Sequence, residues 1–220
     1  MFIPRHPVVE NQFCSYASQT GTGAAGIGGV IAYAGSVVYL DPTATNEEPI
    51  VSKMAHGLNT TTQTPFGLAM QKVKTGYHQV HPAGFSMPGD LGSSDVIAQP
   101  LYNATGTITG TKAAPLGVAH LGIWDTVHYT CVKTSDTGVS TVTTKMAPGA
   151  ALFPAADEAK LTNSTANSSG DDTADTGDVG TGDRCSEVPV AKVVKGASIA
   201  KCAATIDNTT LYPIRVKLLV

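Results

Sequence analysis

The six histidines give this sequence its widest choice of chemistry, and two of them have the spacing H-x-x-H. His78 and His81 would suit a zinc ion if both rings faced the same side of one element. On a β-strand, however, residues three apart point to opposite faces, and only a turn at Pro82 would bring both rings to one ion. We therefore expect these two histidines, with His120 and His128, to be ordinary exposed or interface side chains. No metal site is predicted.

The sequence also contains no motif typical of nucleophilic or acid–base catalysis. The G-x-S-x-G turn that carries the nucleophile of α/β-hydrolases is absent. Hydrolysis by paired carboxylates needs two acids held about 5–10 Å apart. The glutamates show no spacing that suggests such a pair: Glu10, Glu47, Glu48, Glu158 and Glu187. No catalytic residue is predicted, and an enzyme is the least favoured class of protein.

Two further motifs are weaker than they first look. The aspartates at 171, 172, 175, 178 and 183 lack the D-x-D-x-D-G order of a calcium loop, which favours a solvated acidic loop. Gly21, Gly23 and Gly26 match G-x-G-x-x-G, but no strand precedes them and no ribose-binding acid follows at a suitable distance. We therefore predict no bound cofactor.

The four cysteines are Cys14, Cys131, Cys185 and Cys202, and they form no C-x-x-C pair. This spacing argues against a structural zinc site, which typically uses closely spaced cysteine pairs. The first residues have no basic region followed by a long apolar stretch, so a secretion signal is not expected and free thiols are the default. A disulfide such as Cys185–Cys202 remains open.

The elements that would carry these residues are predominantly strands. Charged residues make up 14% of the 220, against roughly 25% in an average soluble domain. Such scarcity of charge excludes a coiled coil or helical bundle, and a net charge of -3 argues against a nucleic-acid binder. The most apolar windows, 24–40 and 113–123, are interrupted by glycine or proline, which argues against a membrane helix.

Short apolar and β-branched runs, separated by Gly, Pro, Asn and Asp, predict an antiparallel sandwich or barrel. The first are at 30–34 and 36–40, and the last are at 198–205 and 212–220. A helix is predicted only at 154–161, where a proline comes early and a lysine late. The expected class is therefore mainly β, with an extended N-terminal arm and little helix.

Composition divides the chain into four segments. Residues 1–29 form a Gly-rich extended arm, 30–161 a β-rich domain, 162–184 a loop rich in Asp, Ser, Thr and Gly, and 185–220 strands that complete the fold. Because residues 1–40 carry only two formal charges, this end is expected to lie against a partner. The interface candidates are Phe2, Ile3, Phe13, Tyr16, Ile27, Val30, Ile31 and Tyr33.

A short internal repeat occurs twice in the sequence, with its copies fifty residues apart. The sequence PFGLAM at 65–70 recurs as PLGVAH at 115–120, each time after a Thr-rich stretch. Each copy puts a glycine where a strand must pass close to another backbone. Two related β units, or two equivalent strands of one barrel, would explain it, with chance as the alternative.

With these stretches in view, about half of the chain resembles the small β-rich structural proteins of tailed bacteriophages, above all capsid decoration (cement) proteins. The resemblance lies in residues 34–40, 65–73, 115–123 and the following VHYTCVKTSDTGVSTV at 127–142. It implies a non-enzymatic virion protein on the capsid exterior, assembled in the host cytoplasm, that clamps neighbouring major capsid subunits. The implied partners are the major capsid protein and copies of itself, for instance about a three-fold axis, with neither nucleic acid nor membrane involved.

Two other functions stay open from the sequence. The chain would also suit another phage structural component, such as a tail, connector or fibre-associated protein. A carbohydrate-binding surface β-sandwich is the third possibility, although one tryptophan and seven tyrosines offer few aromatic platforms.

Overall fold

A computed structural model defines the fold for most of the chain. It describes residues 2–4, 11–18, 30–41, 49–54, 64–75, 96–102, 104, 108–136, 139–155, 158–165, 184–206 and 209–220. Within these residues the protein is mainly β, with one short helix, which confirms the predicted class. None of the helical segments described there has the length and apolar character needed to cross a membrane.

The strands follow one another in short steps along the chain. The first nine are β1 (Phe2–Pro4), β2 (Asn11–Ser18), β3 (Val30–Ala32), β4 (Val37–Leu40), β5 (Ile50–Lys53), β6 (Pro65–Ala69), β7 (Val73–Thr75), β8 (Val96–Tyr102) and β9 (Ile108–Ala119). The others are β10 (Ile123–Thr126), β11 (Tyr129–Thr130), β12 (Lys133–Asp136), β13 (Val139–Val142), β14 (Ala151–Pro154), β15 (Leu161–Thr162), β16 (Ala191–Lys195) and β17 (Ile214–Leu218). The helix α1 spans Ile199–Ile206.

These strands form two large curled sheets and one hairpin. The seven-stranded sheet has the order β1-β10-β17-β16-β14-β15-β11 and curls into a half-barrel. The eight-stranded sheet has the order β2-β5-β4-β6-β9-β8-β7-β3, and β2 also pairs with β9. This extra pairing joins β2, β5, β4, β6 and β9 in a ring, so the sheet is barrel-like and nearly closed. The hairpin consists of β12 and β13.

The last strand shows how the sequence pattern produces the half-barrel. Ile214, Val216 and Leu218 are buried, whereas Arg215 and Lys217 lie on the outer face. This alternation is what the sequence predicts for 214–218, because successive side chains of a strand point to opposite faces. One side of the half-barrel therefore contributes to the main core, and the other carries cations.

The repeated motif forms one local structure, because its two copies pair with each other. Leu68 pairs with Ala119, and Ala69 pairs with Val118, across β6 and β9. Since the copies are fifty residues apart, exchanging them leaves this register unchanged, which makes the pair a local pseudo-two-fold unit. The interpretation as two equivalent strands therefore fits better than chance.

The helix prediction at 154–161 is wrong. Residues 151–154 are strand β14, and Ala155 forms a bridge with Arg184. Glu158 and Ala159 then turn with φ of 49° and 52°, in the left-handed region. Pairing with neighbouring strands outweighs the weak local helical preference, because eight residues form at best two helical turns.

The helix lies instead at Ile199–Ile206, where the sequence pattern predicts a strand. Ser198 caps it, with the Lys201 amide donating to Ser198 Oγ at 3.4 Å. A serine accepting from the third helical amide is a standard start for a helix. The alanines that follow have high helix propensity, and this combination was the available signal.

The cysteines pair differently from the open suggestion of Cys185–Cys202. Cys131 and Cys202 form a disulfide with a Cα–Cα distance of 6.1 Å, which ties α1 to the segment after β11. Cys185 is a buried free thiol, and burial raises its pKa to about 11. The default of free thiols is therefore wrong for one pair and right for Cys185.

The predicted arm at 1–29 contributes two strands to the sheets of its own chain. β1 pairs with β10, and β2 pairs with β5 and β9. Phe2 is buried and stacks on Trp124, with ring centroids 4.3 Å apart. Both strands are extended, as expected, but their hydrogen-bond partners lie within the molecule. Residues 5–10 and 19–29 lie outside the described part of the chain.

Candidate functional site

The arrangement nearest to catalytic geometry in the described residues is a serine–histidine pair between the two sheets. Ser36 Oγ lies 3.0 Å from His128 Nε2, and the carbonyl oxygen of Glu158 lies 3.1 Å from Ser36 Oγ and 3.2 Å from His128 Nε2. The serine precedes β4, and the histidine lies between β10 and β11. The pair therefore connects one strand of each sheet.

Local backbone geometry brings the two side chains together. Gly35 has φ of 97°, a conformation that glycine adopts without strain. A Cβ at this position would lie 3.0 Å from Thr126 Oγ1 and 3.1 Å from His128 Cβ, so the turn fits only without a side chain. On the other side, the His128 amide donates to Thr126 Oγ1 at 3.0 Å, which orients the histidine.

Hydrogen-bond accounting assigns the proton of this pair. Ser36 Oγ accepts from the Tyr33 amide and donates to the Glu158 carbonyl oxygen. His128 Nε2 faces both that carbonyl and Ser36 Oγ, so it satisfies them as a donor. With the proton on Nε2, the ring cannot take a proton from Ser36, which is the role a general base would play.

Burial gives the same interpretation. Ser36 is fully buried and His128 is 8% exposed. Burial lowers the pKa of His128 to about 4, although the hydrogen bond to the Glu158 carbonyl acts in the opposite direction. The histidine is therefore neutral near pH 7, and the pair is a connection between the sheets.

His120 is the other histidine among the described residues, and it packs against Phe66 of β6. His120 Nδ1 donates to the Phe66 carbonyl oxygen at 2.8 Å, and its ring meets the Phe66 ring edge-on at 4.4 Å. His78 and His81 lie outside the described residues. Among the residues that the structure describes, no three His, Cys, Asp or Glu side chains are grouped to hold a metal ion.

The interface candidates have several different positions. Phe2 is a core residue, whereas Tyr33 is 36% exposed and its ring lies 5.3 Å from that of His128. Val30 and Ile31 are partly buried at the edge strand β3. Ile3 lies in β1, and Phe13 and Tyr16 lie in β2. Ile27 lies outside the described residues. The interface role of this set remains a prediction.

A second candidate site is the outer face of β16 and β17, here called the basic face and defined by Lys192, Val194, Lys195, Arg215, Lys217 and Leu219. Lys192 pairs directly with Lys217, and Lys195 pairs with Arg215. The sequence reveals that the last segment is rich in lysine and arginine, but not that these residues lie opposite each other. The alternation of apolar and charged residues along β17 indicates from sequence that Arg215 and Lys217 share the outer face, but the contribution of β16 has no such signal.

Comparison with known proteins gives no relative for this chain. Neither a protein-family model, nor a curated protein, nor a solved structure matches it. The functional interpretation therefore rests on the residues and their geometry.

Proposed function

We propose that this chain is a virion structural protein that binds the outside of a phage capsid and stabilises contacts between major capsid subunits. The observation that carries the proposal is a surface poor in charge and rich in apolar side chains. Charged residues are 14% of the chain. Eight large apolar residues of the described part are at least 36% exposed: Tyr33, Leu40, Leu121, Val188, Val194, Ile199, Leu211 and Leu219.

Such a surface suits a protein that is permanently covered over much of its area. A free soluble protein generally depends on a denser set of surface charges. Removing charged groups from water is costly, so a surface with few of them loses less on docking. Many copies on one particle multiply modest contacts, which is how a cement protein would resist internal pressure.

The architecture is also appropriate for a rigid clamp. The Cys131–Cys202 bridge and the Ser36–His128 contact each connect segments that are far apart in sequence. The ring closed by β2 leaves fewer unpaired strand edges, which are sites of unwanted association. A stiff body transmits force between the subunits it contacts.

A carbohydrate-binding role receives less support from the aromatic residues. Sugar sites commonly use exposed aromatic rings, and this chain has a single tryptophan. Trp124 is 1% exposed, stacks on Phe2 and donates from Nε1 to the Leu121 carbonyl oxygen. It therefore does not offer a platform for a sugar.

The test uses capsids of the phage that encodes this chain, prepared from a strain in which its gene is deleted. Purified protein added back should co-sediment with intact capsids and raise the temperature at which they release DNA. Gold-labelled antibody on native particles should decorate the head. Labelling confined to the tail or to fibres would favour the other structural roles, and absence from purified particles would overturn the proposal.

A further inference from the structure

The basic face places like charges side by side on the surface of the half-barrel. Lys192 on β16 and Lys217 on β17 are both exposed and directly opposite each other. Side chains in this relation have Cβ atoms about 5 Å apart. Next along the same two strands, Lys195 lies opposite Arg215. Four cations thus form two adjacent rows.

Within the described residues, one acidic side chain reaches this cluster. Asp125 on β10 lies opposite Arg215 and accepts two hydrogen bonds from it, at 2.8 Å and 3.3 Å. The described ion pairs leave Lys192, Lys195 and Lys217 without an acidic partner. Counted over the residues that the structure describes, the face therefore has an excess of three positive charges in a protein whose net charge is -3.

This arrangement is unfavourable for the isolated protein. Like charges directly opposite each other destabilise a sheet, and one substitution would remove the repulsion. Apolar side chains accompany the cations, with Val194 45% exposed and Leu219 44% exposed. Lysines interleaved with exposed aliphatic residues are suited to docking, in which the aliphatic groups are buried and the cations meet opposite charge.

We infer that the basic face, Lys192, Val194, Lys195, Arg215, Lys217 and Leu219, docks onto an acidic protein surface. Charge complementarity identifies that surface, and the inference rests on the proposed function, in which the surface belongs to the outer side of a major capsid subunit. Val194 and Leu219 provide apolar contact, and the lysines provide orientation. This assigns the docking face to the last two strands as well as to the N-terminal candidates.

A protein occupant fits this face better than a nucleic acid or a membrane. Nucleic acid would bring many phosphates against a molecule whose net charge is negative, and the described face has no aromatic ring for base stacking. Anionic membranes are recognised by larger cationic clusters, typically with an amphipathic helix or lipid anchor. A compact patch of three cations without an acidic partner among the described residues, together with two aliphatic side chains, matches the mixed character of a protein interface.

The test measures co-sedimentation of the full chain with gene-deleted capsids at increasing NaCl. Wild-type binding should weaken with salt, because opposite charges meet at the interface. The K192E substitution should weaken binding by about tenfold and flatten the salt dependence. The same change should raise the melting temperature by about 1–3 °C, because the introduced carboxylate and Lys217 would attract each other. A misfolded variant would shift both quantities downwards.

Matched variants separate the inference from the proposed function. K145E changes one exposed lysine outside the basic face and should bind like wild type. If wild type binds capsids and K192E and K217E bind equally well, the docking inference is overturned while the proposed function stands. If wild type does not bind capsids, both fail. Lysine-dependent binding to duplex DNA or phosphatidylserine vesicles, at lower concentration than to capsids, would also overturn it.

Discussion

At the residue scale, Ser36 and His128 lie at the distance of a catalytic serine–histidine pair, but their contact is structural. The two residues are 92 positions apart, and they meet where the sheets adjoin. The shared Glu158 carbonyl oxygen determines which atom carries the proton, and burial keeps the ring neutral. Because acid favours the charged form of the histidine, which the unfolded chain accommodates better, the free energy of unfolding should decrease at low pH, and this decrease can be measured.

We predict that stability falls between pH 6.5 and pH 4. Burial lowers the pKa of His128 in the folded protein from 6.5 to about 4, so in this window the unfolded chain binds the proton more readily. The contribution is fully present above pH 6.5 and is lost as the pH falls, by about 3 kcal/mol. Urea unfolding at several pH values measures it. H128Q keeps a donor but does not titrate, and an equal slope in H128Q would contradict the prediction.

At the element scale, the paired strands β6 and β9 show what the repeated motif achieves. Gly67 and Gly117 occupy equivalent positions in the repeat; Gly67 makes room for β9, and Gly117 makes room for the residues that follow β6. A Cβ on Gly67 would lie 2.5 Å from Val118 Cγ1 and 2.8 Å from the Ala119 carbonyl oxygen, which is fixed backbone. A Cβ on Gly117 would first meet Met70 Sδ at 3.0 Å, near the end of a flexible side chain.

We therefore predict unequal costs for two equivalent substitutions. G67A should lower the free energy of unfolding by about 1–3 kcal/mol, because backbone cannot move aside without strain. G117A should cost less, since Met70 can adopt another rotamer. Thermal or urea unfolding of both variants checks the order. Equal costs, or a larger cost at Gly117, would contradict the conclusion that the neighbours of Gly67 are the less yielding ones.

The elements also show where sequence patterns predict structure and where they do not. The alternation of Ile214, Val216 and Leu218 predicts a half-buried strand correctly, because one face of β17 meets the core. The predicted helix at 154–161 and the predicted strand at 198–205 are both wrong. Strand pairing determines the structure of the first segment, and a serine cap starts a helix in the second. Residue contacts across the fold, including Ser36–His128 and Cys131–Cys202, depend on topology that spacing in sequence does not contain.

At the scale of the whole molecule, the disulfide is a covalent constraint between distant segments. Cys131 and Cys202 are 71 positions apart, so the bridge closes a large loop in the unfolded chain. Restricting a loop of this length reduces unfolded-state entropy and stabilises the fold by about 4 kcal/mol in the chain-entropy model. The bridge also holds the helix against a core that comprises both cysteines.

We predict that a reducing agent lowers the urea midpoint of the wild-type protein and leaves the C131A/C202A double variant unchanged. The expected loss is about 4 kcal/mol, for the reason just given. C185A is the matched control, because Cys185 is a free buried thiol and its variant should keep the full effect of reduction. A wild-type midpoint that does not respond to reduction would contradict this role of the bridge.

The ring of strands in the eight-stranded sheet also has a consequence for synthesis on the ribosome. β2 ends at Ser18, and β9, its antiparallel partner, begins at Ile108, 90 residues later. At about 5–20 residues per second, the nascent chain carries β2 for roughly 5–20 s before that partner is made. β1 waits longer still for Ile123–Thr126. β1 and β2 are thus made long before these antiparallel partners, and until β9 follows, β2 has its parallel partner β5 but the ring of strands stays open.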